Sequence, residues 1–430
     1  MLRIEIDSSK SLFVSGEAIV SILKGKVEVF GAVFEKDEVV RVEENKSAPF
    51  KPLDEKLAVE VKLSNSGYVS YIEGDLIPED WKKIAGEIAE VNEKISVMIV
   101  GGVDVGKTGF VTFLANKLHL SGKKVAIVDA DTGQSSIGPP TTIGLGFLNK
   151  KIVHLTEVPL FDAIFVGCTT PAGVLDRSII GTHILVKKAF KNNADVVLID
   201  TTGWVSDKGG RELKTSKIYL VNPNYLILIE KEFGELFHIA KPFLFSSIKI
   251  RNLSPPPMLR ARSREVRRII RYSIFSKYFK DAEEIEVKLA SVNIRYARLG
   301  TGRVIKDEDL GNIIQILGYQ PDYVEVTNDS VIIYSKESLP ESQLDEIGKI
   351  FDKKEVINIT PTKIENVLLS LRDKNDKFLG LGILKKFNPV EKSLTIYTNV
   401  NEEKIKTIEV GHIKVSETGG ELEYFAPWTF

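Results

Sequence analysis

Eight consecutive residues, Gly101-Gly102-Val103-Asp104-Val105-Gly106-Lys107-Thr108, meet the G-x-x-x-x-G-K-[ST] pattern at every fixed position, and Gly109 follows them. Glycines at this spacing let the backbone curl until successive N–H groups and a helix N-terminus face one phosphate. Lys107 adds a positive charge near the β- and γ-phosphates, and the Thr108 hydroxyl suits Mg²⁺. A Gly-rich turn with a solvated lysine is the competing reading. The flanks oppose it: Ile95 to Val100 (ISVMIV) is a short apolar, β-branched run suited to a buried strand, and Phe110 to Leu118 has helical spacing.

A pair of acids lies one helix downstream. The strand beginning at Lys124 ends in Asp129-Ala130-Asp131-Thr132-Gly133-Gln134. Residues two apart in an extended chain face the same way, so both carboxyls point beyond the strand's carboxyl end, where open α/β sheets bind ligands. In phosphate-loop proteins one such acid helps hold Mg²⁺, and a second accepts the proton of an attacking hydroxyl. The alternative is that they cap a turn or the next helix.

Three further segments could carry chemistry. Asp200-Thr201-Thr202-Gly203-Trp204 closes another apolar strand, and Trp204 is either a core residue or an edge platform for a nucleobase, worth about 1–3 kcal/mol per stacked base. Phe165 to Pro171 (FVGCTTP) repeats the layout of a strand followed by small hydroxyl residues, and also fits an ordinary β-to-α connection. Leu259 to Tyr272 (LRARSREVRRIIRY) is dense in arginine. Helical spacing puts Arg264, Arg267, Arg268 and Arg271 on one face and Val266, Ile269 and Ile270 on the other. Charge runs are usually solvated faces, but guanidinium forks match phosphate geometry, and a mobile lid after the Pro255–Pro257 hinge is the sharper reading.

These residues need a scaffold. Residues 1–76 are short alternating runs without a helix, which predicts a small N-terminal β-sandwich or barrel. From Pro78 a helix over Glu79 to Val91 leads into residues 77–282, where the runs ISVMIV, KVAIVDA, IVHLTE, AIFVG, VVLIDT, YLILIEK and FSSIKIR alternate with helical stretches. That predicts an α/β fold: a central P-loop domain with a parallel sheet covered on both faces, and an arginine-rich lid helix near 259–280. Residues 283–430 return to alternating strands, with a helix near Glu341 to Ile350, and predict a C-terminal β-rich domain. A net charge of −1 confines any nucleic-acid site to a local patch. The single cysteine, Cys168, excludes an internal disulfide and fits a reducing, cytoplasmic setting. No segment approaches the roughly 18 apolar residues that cross a bilayer.

The ordered set GGVDVGKT, DADTGQ, CTTP, TTGW and RxxxxRR resembles the polynucleotide 5′-hydroxyl kinase family, whose eukaryotic members include a kinase subunit of the pre-mRNA cleavage complex. KGKVEVFG, Lys24 to Gly31, is similar to that family's N-terminal signature. The resemblance implies ATP and Mg²⁺ at Lys107, Thr108 and Asp129, with the loop Gly101 to Gly109 around the phosphates. It implies Asp131 as the activator of a 5′-hydroxyl, Gln134, Thr169, Thr170 and Pro171 at the substrate end, Trp204 against a terminal base, and Arg262 and Arg267 as lid arginines. On one uninterrupted helix Arg262 would point away from Arg267, so either the helix begins after Arg262 or another arginine acts. Adenine contacts stay unassigned.

The expectation is γ-phosphoryl transfer from ATP to the 5′-hydroxyl of RNA, with DNA as a second acceptor, in RNA processing and alongside processing partners. Its rival is an ATP-bound scaffold that transfers nothing. A GTPase or partition-type ATPase is weaker: the sequence has no N-K-x-D motif and no extra lysine before Gly101.

Overall fold

Every residue from Ile95 to Gly101 is buried, as expected of a strand covered on both faces, and this strand, β1, lies inside a seven-stranded sheet. The computed structural model describes residues 1–305 and 308–430. Two units divide the chain: residues 1–164 with 170–270, and residues 165–169 with 271–430.

In the first unit the other strands are β2 (Val125–Ala130), β3 (Thr142–Phe147), β4 (Leu160–Phe165), β5 (Val196–Thr201), β6 (Tyr225–Ile229) and β7 (Lys249–Leu253). Their order is β4-β3-β2-β5-β1-β6-β7. β2, β5, β1, β6 and β7 run parallel, whereas β3 runs antiparallel to β2. The run IVHLTE is not a strand. Asn116 holds both the N–H and the carbonyl of Ile152, and the Glu157 carboxylate accepts the N–H groups of Val153 and His154, which fixes a short 3₁₀ turn over Leu155–Glu157.

Five helices matter to the site: α1 (Glu79–Ala89), α2 (Lys107–Leu120), α3 (Leu175–Lys191), α4 (Lys208–Val221) and α5 (Arg264–Tyr278). Pro78 precedes the first turn of α1, and Glu79 and Asp80 favour its positive end. Trp81 of α1 is fully buried, edge-on to Phe110 of α2 at 5.1 Å, and its indole N–H donates to the Ser254 carbonyl at 2.9 Å. Truncating it leaves a large cavity and an unpaired carbonyl. Trp81→Ala should therefore cost about 3–5 kcal/mol, read as a shifted denaturant midpoint.

The N-terminal residues pair into a four-stranded and a five-stranded sheet around one apolar core that includes Val14, Val20, Phe50 and Val59. This sandwich packs directly on α2. Asn116 Nδ2 donates to the Phe30 carbonyl at 2.8 Å, Lys117 pairs with Glu28 at 2.6 Å, and Gly109 faces the Phe30 ring.

The second unit has its own seven-stranded sheet, and a four-stranded sheet (Arg303–Val304, Tyr323–Val326, Ser330–Tyr334, Glu355–Ile359) with helices at Glu308–Leu317 and Glu341–Phe351. The division between units falls inside α5, between residues 270 and 271, upstream of the boundary expected at 282. Its cause is apolar: Phe275 and Phe279 are buried, Phe275 backs onto Gly419, and the Phe279 ring lies 6.3 Å from Tyr397. Among the described residues, no helix is long and apolar enough to cross a membrane.

Candidate active site

The phosphate loop joins β1 to α2. Asp104 and Gly106 both have positive φ, 53° and 93°, and α2 starts at Lys107. The loop is tightly walled. A Cβ on Gly203 would come within 2.8 Å of the Val103 backbone, so the turn before Trp204 presses against it. Lys107 is buried and donates to the Gly102 carbonyl at 2.6 Å. Burial pushes its ammonium below the ordinary lysine range, against the pull of Asp200, Asp131 and Asp104.

Parallel register sets the acids. Asp129 at the end of β2 pairs across to Asp200 at the end of β5, and Asp200 pairs to Ile99 of β1. The two carboxyls are used differently. Asp129 spends both oxygens on backbone N–H groups: Oδ1 accepts from Asp131 at 3.1 Å, and Oδ2 accepts from Ser136 and from Ile137 at 3.0 Å. It shapes the loop that follows. Asp200 Oδ2 accepts the Thr108 hydroxyl at 2.7 Å, while its Oδ1 is buried without a hydrogen-bond partner. Burial raises the Asp129 carboxyl, and the charges of Asp200 and Asp131 raise it further. Burial also raises Asp200, opposed by Lys107 and Thr108. An orphaned carboxylate oxygen beside a threonine hydroxyl is an all-oxygen donor set that fits Mg²⁺, which commonly takes one or two carboxylates and substrate phosphates. Asp200 was not singled out as a site residue in the sequence, although its signal was present: an acid ending an all-apolar strand.

Asp131 is half-buried, and its Oδ1 accepts the N–H groups of Gly133 and Gln134, both at 3.0 Å. Lys107, Lys214, Lys217 and Arg262 all lie within its electrostatic reach. Gln134 Nε2 donates to the Gly133 carbonyl at 2.8 Å and to the Arg267 carbonyl at 3.4 Å.

The lid departs from the simple helical face. α5 begins at Arg264, so Arg262 precedes it and escapes the geometric conflict noted in the sequence. Arg267 Nη2 donates to Asp104 Oδ2 at 2.9 Å, and the Arg262 backbone N–H donates to the same oxygen at 3.2 Å. The expected division into an arginine face and an apolar face holds only in part: Arg264 and Arg268 are exposed and Val266 and Ile270 half-buried, but Arg267 pairs with Asp104, Arg271 pairs with Glu421, and Ile269 is 55% exposed.

One lysine comes from the N-terminal sandwich. Lys46 Nζ reaches Ser136 Oγ at 3.4 Å, and burial together with the nearby Arg262 charge pushes its ammonium down to about 8. Arg260 of the lid segment donates to the Glu44 carbonyl at 2.8 Å. Nothing in a lone lysine on a strand edge announces this placement.

Trp204 is half-buried with its indole N–H on Asp207 at 2.8 Å, and Asp207 also caps α4 by accepting from Gly210. A Cβ on Gly209 would lie 2.5 Å from the Trp204 ring. Lys214 of α4, fully buried, donates to the Thr202 carbonyl and so ties this turn to the helix. Thr169 belongs to the second unit, where its hydroxyl meets that of Tyr424 at 2.9 Å; Thr170 is exposed and Pro171 buried.

Residues 101–281 match the family model described as the mRNA cleavage and polyadenylation factor CLP1 P-loop. The polyribonucleotide 5′-hydroxyl-kinase of Methanocaldococcus jannaschii is 33% identical over 349 residues, covering 80% of this chain and 94% of that one. The chain belongs to the polyribonucleotide 5′-hydroxyl-kinase family. The Pyrococcus furiosus kinase of the same name is 34% identical over 347 residues, covering 80% and 95%. A CLP1 homologue of Nematostella vectensis is more distant, 26% identical over 312 residues and covering 65% and 69%. A solved structure of wild-type Clp1p with a segment of Pcf11p shares the fold at a TM-score of 0.63 and 15% identity, covering 96% of this chain and 97% of that one.

Proposed function

We propose that this chain transfers the γ-phosphoryl group of ATP to the 5′-hydroxyl of RNA. One observation carries the reading beyond nucleotide binding: a lid arginine, Arg267, lies on the phosphate loop itself, next to a strand end that presents a half-buried acid. Phosphoryl transfer is mostly positioning and charge stabilisation, and such an arrangement supplies both. In the proposed reaction Asp131 accepts the proton of the 5′-hydroxyl as its oxygen attacks the γ-phosphorus. The bond from that phosphorus to the β,γ-bridging oxygen breaks, and ADP leaves. Lys107, Arg262 and Arg267 neutralise charge on the oxygens in flight.

Mg²⁺, when bound, would neutralise the β- and γ-phosphates, with Thr108 and Asp200 as the residues that hold it. Asp200 replaces the expected Asp129 in this proposal, since Asp129 is engaged by three backbone N–H groups. Trp204, braced by Asp207 and Gly209, offers a platform for the terminal base, with Gln134, Thr170 and Pro171 at the substrate end. Trp204→Ala should raise the KM for an oligonucleotide about tenfold while leaving the KM for ATP within twofold, as measured by initial rates.

The reading includes a role in RNA processing in the cytoplasm, with a protein partner there, since the Clp1p relative was solved with a segment of Pcf11p. Incubating the chain with γ-labelled ATP and 5′-hydroxyl RNA or DNA oligonucleotides tests it. Label on RNA ends supports the reading, label on DNA ends widens the acceptor class, and ATP binding without transfer would leave the scaffold.

A further inference from the structure

The phosphate loop carries a carboxylate of its own. Asp104, in the left-handed backbone region at φ 53°, stands in a cradle meant for a triphosphate, where an unpaired negative charge repels the ligand. It is paired. Its Oδ2 accepts from Arg267 Nη2 at 2.9 Å and from the Arg262 backbone N–H at 3.2 Å, which ties the lid segment down both before α5 and in its first turn. The ion pair is 22% and 28% exposed, sheltered enough to escape most screening. A guanidinium has five N–H donors, and this bond uses one of them. The Nε of Arg262, meanwhile, is buried without a hydrogen-bond partner, as a donor held ready for an anion would be.

The geometry points to Asp104 as a positioning residue: its carboxylate assembles Arg262 and Arg267 over the phosphate loop before ATP arrives, leaving their remaining donors for the transferring phosphoryl group. The inference rests on the kinase reading for its effect on rate, but the latch itself is a property of the nucleotide-free chain. A long arginine side chain that is already ordered loses less freedom in the transition state. The carboxylate therefore contributes to kcat, and its charge gives no help to ATP binding.

Asp104→Gly and Asp104→Asn both suit the left-handed backbone, so the loop keeps its shape. In the full-length protein, kcat should fall about tenfold in Asp104→Gly and less in Asp104→Asn, with the KM for ATP unchanged or lower. Adding Asp104→Gly to Arg267→Ala should cost little beyond Arg267→Ala alone. Amide hydrogen exchange over residues 260–270 should quicken in nucleotide-free Asp104→Gly. A tenfold rise in the KM for ATP with kcat intact would overturn the inference, because it would make Asp104 only a scaffold of the loop. Unchanged exchange of the lid segment would overturn it as well. If the chain transfers no phosphate at all, the kinase reading falls and the exchange experiment still decides whether the latch exists.

Discussion

Asp200→Asn should make the nucleotide-free protein more heat-stable at pH 8 while lowering phosphoryl transfer by about two to three orders of magnitude. The buried Asp200 carboxyl has its pKa raised by burial. The folded chain therefore holds a proton that the unfolded chain releases near the ordinary carboxylate range. As pH climbs from that range through the raised folded value, stability is lost, and above it the full penalty of a buried charge applies. Asparagine removes the penalty, and the melting temperature at pH 8 should rise. The gain should vanish near pH 4, where wild type is protonated as well. Mg²⁺ with an ATP analogue should stabilise wild type more at pH 8 than at pH 5.5, and asparagine should reduce that difference. Melting scans across this pH range check both statements; equal Mg²⁺ responses in the two proteins would move the metal to other residues.

The second large effect belongs to Asp131. Its Oδ1 accepts two backbone N–H groups, which hold the carboxylate rigidly at the strand end. Asparagine preserves those acceptor bonds but is useless as a base, so Asp131→Asn isolates proton removal from loop folding. A loss of about 10²–10⁴ in kcat is expected, with the melting temperature and the KM for ATP near wild type. Single-turnover rates with a 5′-hydroxyl RNA measure it. Near-wild-type turnover would assign the proton to another acceptor.

Much of this was legible in the residues because it depends on local pattern. The phosphate loop is a contiguous motif, and apolar runs such as Val196–Ile199 announce strands buried on both faces. What escaped depends on partners distant in sequence. IVHLTE has the composition of a strand, yet Asn116, 36 residues before Ile152, holds it as a turn. The arginine helix has clear amphipathic spacing, yet Asp104 and Glu421, 163 and 150 residues from their partners, hold two of its arginines. The split between Asp129 and Asp200 was hidden for the same reason: both end apolar strands, and only the folded loop shows which carboxylate is already occupied.

The packing of the N-terminal sandwich on α2 sets the smallest piece of this protein that is worth expressing. Phe30 covers Gly109 in the first turn of that helix, the Gly31 backbone abuts Phe113, and Lys46 reaches the loop after Asp131. A fragment cut at residue 77 would retain every nucleotide motif and bare the face of α2 that the sandwich covers. The first seventy residues are part of the packing around the phosphate-loop helix, so a deletion meant to yield a minimal enzyme would strip that helix of its cover.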